Sequence, residues 1–488
     1  MMVSESKKII SRSPEVLRIF SEINKIPRCS GNEKAISDWL VEYAKSHKFE
    51  VIQDHALNVI IKVPGKKELA HKAAIILQGH MDMVGVKEPN SEHDFTKDPI
   101  QMYEEDGWLK ARGTTLGADN GIALAIALAL ATDDTISHPP LELVFTADEE
   151  RGLTGANMLA DNLLVGKYLL NLDSEDEGVF TIGCAGGRET LIDMDLVFEK
   201  NTQNLTTFCI EIDNLSGGHS GIQIGQQKPS ALQMISRIMY RFTNELNSFC
   251  ISDIKAGVAH NAIPTNATLI FSGDNEALVQ KITVECFSIF KKEYGEAEKE
   301  MTLDFQKMES AEKYLSPEIS SKITQLLTAL PHGVFAYSRG VAGAGNMPET
   351  SNNLAQISIT DDKLRILLSQ RSSVSSQGDF ITQKIESIAK LAGAKVFSGA
   401  GYPAWQPDWQ SNLLKKSIQA YQNLFNKEPI IEVIHAGLEC GVIGAKYPNL
   451  EMISLGPTIK TPHTPKERMK ISDIDDIVRF LIELFKNI

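Results

Sequence analysis

Ala73–Asp82 reads AAIILQGHMD, an apolar run that ends at a histidine and, two residues on, an aspartate. An apolar run of this length, with no polar alternation, is the pattern of a strand buried on both faces. The design recurs twice downstream. LELVFTA (Leu141–Ala147) runs into DEE, and KYLLNLD (Lys167–Asp173) ends at an aspartate. Between the first two lies GIALAIALALA (Gly121–Ala131), too short to span a bilayer and read as a buried helix. Upstream, Glu15–Ile26 and Asn32–Ser46 have helical periodicity and Val51–Val63 reads as strands; downstream a helix is expected from about Gly155. Strands alternating with helices predict an α/β fold whose open, largely parallel sheet is covered on both faces.

The pattern changes at GCAGG (Gly183–Gly187), where dense glycine marks a crossing into another unit. Longer, alternating strands follow, such as TLIDMDLVF and LRILLSQRS, which predict an inserted α+β domain. Beyond it a helix at Leu413–Phe425, a short strand EMISLG and an amphipathic helix at Ile471–Ile488 return to the first domain. The expected boundaries are 1–186, 187–398 and 399–488. A chain of 488 residues also exceeds what one hydrophobic core organises.

With 42% hydrophobic and 23% charged residues the chain reads as an ordinary globular protein. Its net charge of -14 speaks against a nucleic-acid partner, which calls for a basic face. The opening MMVSESKKIISRSPEVLRIF lacks the apolar centre of a signal peptide, and no run is long enough for a membrane span. The six cysteines are scattered with no Cys-x-x-Cys pair, which predicts reduced thiols and a cytoplasmic home.

Five segments place a metal-compatible residue where an apolar strand ends or an apolar helix begins. His80 and Asp82 close one strand, Asp119 in GADNG precedes a helix, Glu149 and Glu150 close a second strand, Asp173 a third, and His463 ends EMISLGPTIKTPH. In open α/β sheets ligands gather beyond the carboxyl ends of the strands, so these ends meet at one rim. Two imidazoles (His80, His463) and three carboxylates (Asp119, Glu150, Asp173) suit two divalent ions, zinc favoured and manganese or cobalt open. Asp119 is the candidate bridge. Three carboxylates and one hydroxide balance the charge of two such ions. Asp82 has the reach to hold the far nitrogen of His80. Glu149 adjoins Glu150 but points away from it, and can take a proton from the attacking water and pass it to the leaving group. Singly each motif is commonplace; the ordered set carries the inference.

At this point the series GHMDMV, GADNG, FTADEERG, LNLDSEDEG and PHTPKERM resembles the zinc peptidases that include aminoacylases and carnosinases, and within them the bacterial aminoacyl-histidine dipeptidases. The likeness runs over essentially the whole length, including IPRCSGNE near Cys29 and HAGLECG at His435–Gly441. It implies a phosphorylase/hydrolase-like catalytic domain with an inserted lid. It further implies one metal on His80, Asp119 and Asp173, another on Asp119, Glu150 and His463, an orienting Asp82 and a catalytic Glu149 acting with a bridging hydroxide. In the lid, His219 of SGGHSG is implied to polarise the scissile carbonyl, and Asn261 of HNAIP and Arg371 of SQRSS to grip a small peptide substrate. A bidentate arginine suits a terminal carboxylate. In shorter relatives the arginine comes soon after the asparagine motif; here that stretch, Ser272–Asn275, has none, and Arg371 is reached through a longer lid. The resemblance also implies a homodimer joined through lids, His219 completing the neighbouring subunit's site. The alternatives are an N-acyl amino-acid deacylase or tripeptidase on the same machinery, or a non-catalytic metal-dependent peptide-binding protein, against which Glu149 speaks.

Overall fold

In the computed structural model, which describes residues 11–202, 205–338 and 347–488, the AAIILQGH run forms the strand Ile75–His80, buried throughout. The first ten residues of the N-terminal segment read for a signal peptide lie outside the described residues. The strand pairs in parallel with Leu141–Thr146 on one side and Tyr168–Asn171 on the other, and Glu451–Ser454 extends the parallel set. Antiparallel pairs flank this centre, Glu50–Gln53 with Val59–Val63 on one edge and Val179–Cys184 on the other, and Ile430–Ile434 lies beyond Val179–Cys184, eight strands among the described residues. The parallel strands are the continuous apolar runs because they are buried on both faces.

The GIALAIALALA segment forms the helix Ala118–Thr132, nearly every residue of it buried. It packs against the helix Ser13–Ile23 and the central strand. That first helix starts with a proline in its first turn and ends three residues before the expected Ile26. Past its end, Asn24 turns its side chain inward, donating to Leu116 O at 3.0 Å and accepting from Arg28. The second helix begins at Lys34 rather than Asn32, since Asn32 and Glu33 close a turn in which Glu33 accepts the Gly31 N–H. The helix expected from about Gly155 is only Thr154–Met158. A four-stranded sheet of very short strands was not foreseen: Met102–Glu105, Trp108–Ala111, Ile459–Lys460 and Arg468–Lys470. It frames the loop 461–467 that carries His463.

By contacts the chain divides into two units: Met1–Cys184 with Pro407–Val433 and Leu438–Ile488, and Ala185–Gln406 with Ile434–Gly437. The second unit thus runs on to Gln406 instead of closing at Ser398, and takes in part of HAGLECG. Packing explains both differences. Tyr402 exchanges backbone hydrogen bonds with Gly187 (3.1 and 2.9 Å), and a Cβ on Gly187 or Gly437 would lie 2.5 or 2.8 Å from the Tyr402 ring. Glycine at both places is what lets the ring fit.

The second unit is an antiparallel sheet of nine strands. Its longest members, Pro348–Thr360, Lys363–Ser372 and Gly186–Asp195, lie side by side. Four helices, Ala231–Glu245, Glu276–Tyr294, Pro317–Ala329 and Ser375–Leu391, supply the rest of its own apolar core. Among the described residues no helix is long and apolar enough to cross a membrane.

Candidate active site

Beyond the carboxyl end of the parallel strands the five expected residues of the first unit converge. His80, 1% exposed, has Nε2 3.2 Å from Asp119 Oδ1 and 3.4 Å from Asp173 Oδ1. His463 Nε2 lies 2.9 Å from Asp119 Oδ2 and 3.0 Å from Glu150 Oε1. The two oxygens of Asp119 therefore face different imidazoles. In the triads His80–Asp119–Asp173 and Asp119–Glu150–His463, one donor atom from each residue lies within 4.8 Å of the others.

The backbone is shaped for this convergence. His463 holds φ 57°, a left-handed conformation uncommon for any side chain but glycine, and Asp148 ahead of the Glu149–Glu150 pair holds φ 55°. Asn120, next to Asp119, accepts the His80 N–H at 3.2 Å and donates to Leu172 O at 2.9 Å. One side chain so links the ends of two strands. Asp82, fully buried, does more than face His80 Nδ1 at 3.3 Å. Its carboxylate also accepts from the backbone N–H groups of Glu149 (3.1 Å) and Glu150 (3.3 Å) and from Ser30 Oγ (2.8 Å).

The donor set fits divalent cations. A neutral imidazole carries one N–H, yet both ring nitrogens of His80 face carboxylates. If Nδ1–H points to Asp82, the Nε2 lone pair faces Asp119 and Asp173, which is relieved where a cation lies between them. Asp173 and Glu149 are short of positive charge. Burial pushes Asp173 up to about 6, and burial with the neighbouring Asp173, Glu439 and Glu150 pushes Glu149 well above its ordinary range despite His80. The hydrogen bonds that His463 donates to Asp119 and Glu150 push it up to about 11.

Glu149 and Glu150 do not diverge as fully as alternation along a strand suggests, since each brings a carboxylate oxygen within 4.8 Å of a His80 ring nitrogen. They differ in partners. Glu150 binds His463, whereas the Glu149 carboxylate has no hydrogen-bond partner among the described residues.

In the second unit, His219 Nδ1 accepts the backbone N–H groups of Gly221 and Ile222, both at 3.2 Å. This fixes the tautomer with the proton on Nε2, a neutral donor, and burial together with the Arg371 charge holds its pKa below the usual histidine value. Asn261 lies on the adjoining loop, its carbonyl accepting the Ser220 N–H at 2.8 Å. Asn353 anchors that loop by donating to His260 O (3.1 Å) and Ala262 O (2.8 Å), and Asn353 is on the strand paired with that of Arg371. His219, Asn261 and Arg371 thus share one region of this unit despite their separation in sequence. Arg371, 9% exposed, donates from Nη1 to Tyr402 Oη at 2.7 Å, and its Nε is buried without a hydrogen-bond partner among the described residues. It lines a cavity of about 310 Å³ together with Arg188, Ser372, Ser375 and Tyr402.

Sequence reasoning missed several of these residues. Tyr402 lies in no motif singled out. Glu439 opens the helix Glu439–Lys446 and is fully buried, accepting from Gln78 Nε2 (2.5 Å) and Thr146 Oγ1 (2.7 Å). Its place in HAGLECG was the available signal.

An α/β unit with an inserted α+β unit and a rim of converging carboxylates and imidazoles places the chain among the peptide hydrolases. It belongs to Peptidase family M20/M25/M40, whose model matches residues 76–487. Among relatives, the cytosol non-specific dipeptidase of Escherichia coli (strain K12) is 38% identical over 479 residues, 98% of each chain. Among solved structures, the aminoacylhistidine dipeptidase from Vibrio alginolyticus is 34% identical, with a TM-score of 0.90 over 98% of this chain and 97% of that one. A tripeptidase from Staphylococcus aureus shares the fold, at 17% identity and a TM-score of 0.55 over 98% of this chain and 99% of that one. The expected resemblance and fold class are thus found, over the whole length.

Proposed function

We propose that this chain is a cytoplasmic dipeptidase that hydrolyses unblocked dipeptides, Xaa-His among them, on a site for two divalent cations. The observation that carries the reading is Asp119, whose oxygens lie 3.2 and 2.9 Å from two imidazoles, each in a triad completed by another carboxylate. Full-length likeness to two dipeptidases supports the substrate class. His80, Asp119 and Asp173 would hold one cation and Asp119, Glu150 and His463 the other; zinc is favoured, with manganese or cobalt as alternatives. Such a pair, when bound, polarises the scissile carbonyl and acidifies the attacking water.

The chain's own residues do the rest. Asp82 holds the Nδ1 proton of His80, fixing the ring. Glu149, free of a hydrogen-bond partner among the described residues, removes a proton from the attacking water and returns it to the leaving amine. His219 offers its Nε2–H to the carbonyl oxygen as negative charge develops there. Asn261 lies beside it to hold the substrate backbone. Arg371, buried and with Nε unpaired, binds the terminal carboxylate.

Hydrolysis of dipeptides compared with tripeptides and acetyl-amino acids tests the tripeptidase and deacylase alternatives, and Arg371 tests the carboxylate site. Free dipeptides should be cleaved well, and their C-terminal amides and longer peptides poorly. A charge-assisted hydrogen bond contributes ~1.5–3 kcal/mol, so Arg371→Ala should raise KM for a free dipeptide about 10- to 100-fold. KM for the amide should hardly move. Equal effects on both substrates would remove Arg371 from the carboxylate site.

The proposed assembly is a homodimer joined through lids, His219 serving the partner's site; a closed two-fold dimer is the commonest homo-oligomer. Glu149→Gln and His219→Ala variants, mixed so that subunits exchange, then regain activity, up to roughly half the wild-type value per mixed dimer. No recovery after verified exchange means that His219 acts within its own chain.

A further inference from the structure

Two buried charges lie behind the cluster and take no part in the mechanism above. Arg28, from IPRCSGNE, is 1% exposed and Glu467, from PHTPKERM, is 3% exposed. Among the described residues Arg28 makes no hydrogen bond to a carboxylate. Its Nη1 donates to Met81 O and Asp82 O, both at 3.1 Å, and its Nη2 to Asn24 Oδ1 (3.1 Å) and Gly117 O (2.6 Å). Glu467 in turn accepts four successive backbone N–H groups. Leu116 (2.7 Å) and Gly117 (3.0 Å) donate to Oε2, and Ala118 (2.8 Å) and Asp119 (3.3 Å) to Oε1.

A guanidinium bonded only to neutral carbonyls and a carboxylate bonded only to amides are expensive to desolvate, and an apolar pair of equal volume is often at least as stable. Stability alone therefore gives no reason for these residue types. Their geometry does. The two grip one short stretch, Leu116–Asp119, by opposite polarity: Arg28 takes a carbonyl and Glu467 takes the N–H groups. That stretch delivers Asp119. Arg28 also holds the carbonyls of the two residues following His80, and Glu467 belongs to the same loop as His463. The pair therefore ties together the three segments that carry His80, Asp119 and His463.

The glycines of GADNG fit this account. A Cβ on Gly117 or on Gly121 would lie 2.5 Å from Arg28 Nη2, and Gly117 holds φ +69°. The motif leaves room for a guanidinium contributed from ninety residues upstream, near enough in space for hydrogen bonding.

We propose that Arg28 and Glu467 are positioning residues that lock the Asp119 carboxylate between the two imidazoles and so set the affinity of the cluster for its divalent cations. The proposal rests on the reading of that cluster as a cation site. Loss of a group that orients a metal ligand typically weakens metal binding about 10- to 100-fold. Titration calorimetry of zinc or manganese into demetallated full-length Glu467→Gln and Arg28→Lys should therefore show weakening of that size for at least one cation. At 25 °C both variants should be folded by circular dichroism. After loading with excess metal, kcat should fall while KM changes little, since neither residue touches substrate.

Glu150→Gln, which alters a proposed ligand directly, is the control. Wild-type affinity in the folded variants, with Glu150→Gln losing a cation, overturns the positioning role. Retention of both cations by Glu150→Gln as well shows that the cation reading has failed, and the proposal with it. If Glu467→Gln does not fold, Arg28→Lys alone decides. If neither folds, the pair serves folding and the proposal is wrong.

Discussion

Glu149→Gln lowers kcat by about 10²- to 10⁴-fold, the range associated with a positioned general acid–base group, while the protein keeps its full complement of cations. The expectation rests on the difference between two adjacent glutamates. Glu150 accepts from His463 at 3.0 Å and is bound into the Asp119–Glu150–His463 triad. Glu149 makes no such bond, and burial with the surrounding carboxylates raises its affinity for a proton. A group that must accept a proton from water and later release it to an amine requires that affinity. The amide of glutamine keeps the volume and removes the basicity, so substrate binding and KM change little. Glu150→Gln should behave differently, losing cation binding as well as turnover. Steady-state kinetics with elemental analysis of the purified variants checks both statements. Loss of both cations in Glu149→Gln would make Glu149 a ligand and leave the mechanism without its base.

Much of this arrangement is legible in sequence for a physical reason. A strand buried on both faces is predominantly apolar, so polar residues clustered at its end stand out, and in a parallel sheet those ends point one way. His80, Glu149–Glu150 and Asp173 were found by that rule, and Asp119 by its place ahead of an apolar helix. What sequence could not give is what depends on long-range backbone bonding. Arg28 and Glu467 act mainly on main-chain groups, up to 351 residues away, and no oppositely charged side chain is hydrogen-bonded to either among the described residues to hint at pairing. The four-stranded sheet around His463 is built of strands two to four residues long, below the length at which alternation can be read. Tyr402 is explained only by Gly187 and Gly437, whose missing side chains admit its ring. The same contact accounts for the later end of the second unit, because composition does not change at Ser398.

Removing divalent metal abolishes turnover and lowers thermal stability, and restoring zinc, manganese or cobalt reverses both. The stability term follows from the crowding of acids at the rim. Among the described residues, Asp119, Asp173, Glu149 and Glu150 lie close to one another and to the imidazoles of His80 and His463, and burial pushes Asp173 up to about 6. A cation bound by the folded chain alone stabilises it by ~2.7 kcal/mol when its concentration is 100 times Kd. At about 2–4 °C per kcal/mol for a unit of some 150–250 residues, each cation should raise Tm by roughly 5–10 °C. Calorimetry before and after exhaustive dialysis against a chelator gives the shift, and the same samples give the activity. The two readouts separate the possible failures. A chain that loses activity with no change in Tm uses its cations without folding around them. A chain that keeps full activity and an unchanged Tm when free of metal does its chemistry with side chains alone, and the bridging role of Asp119 would have to be abandoned.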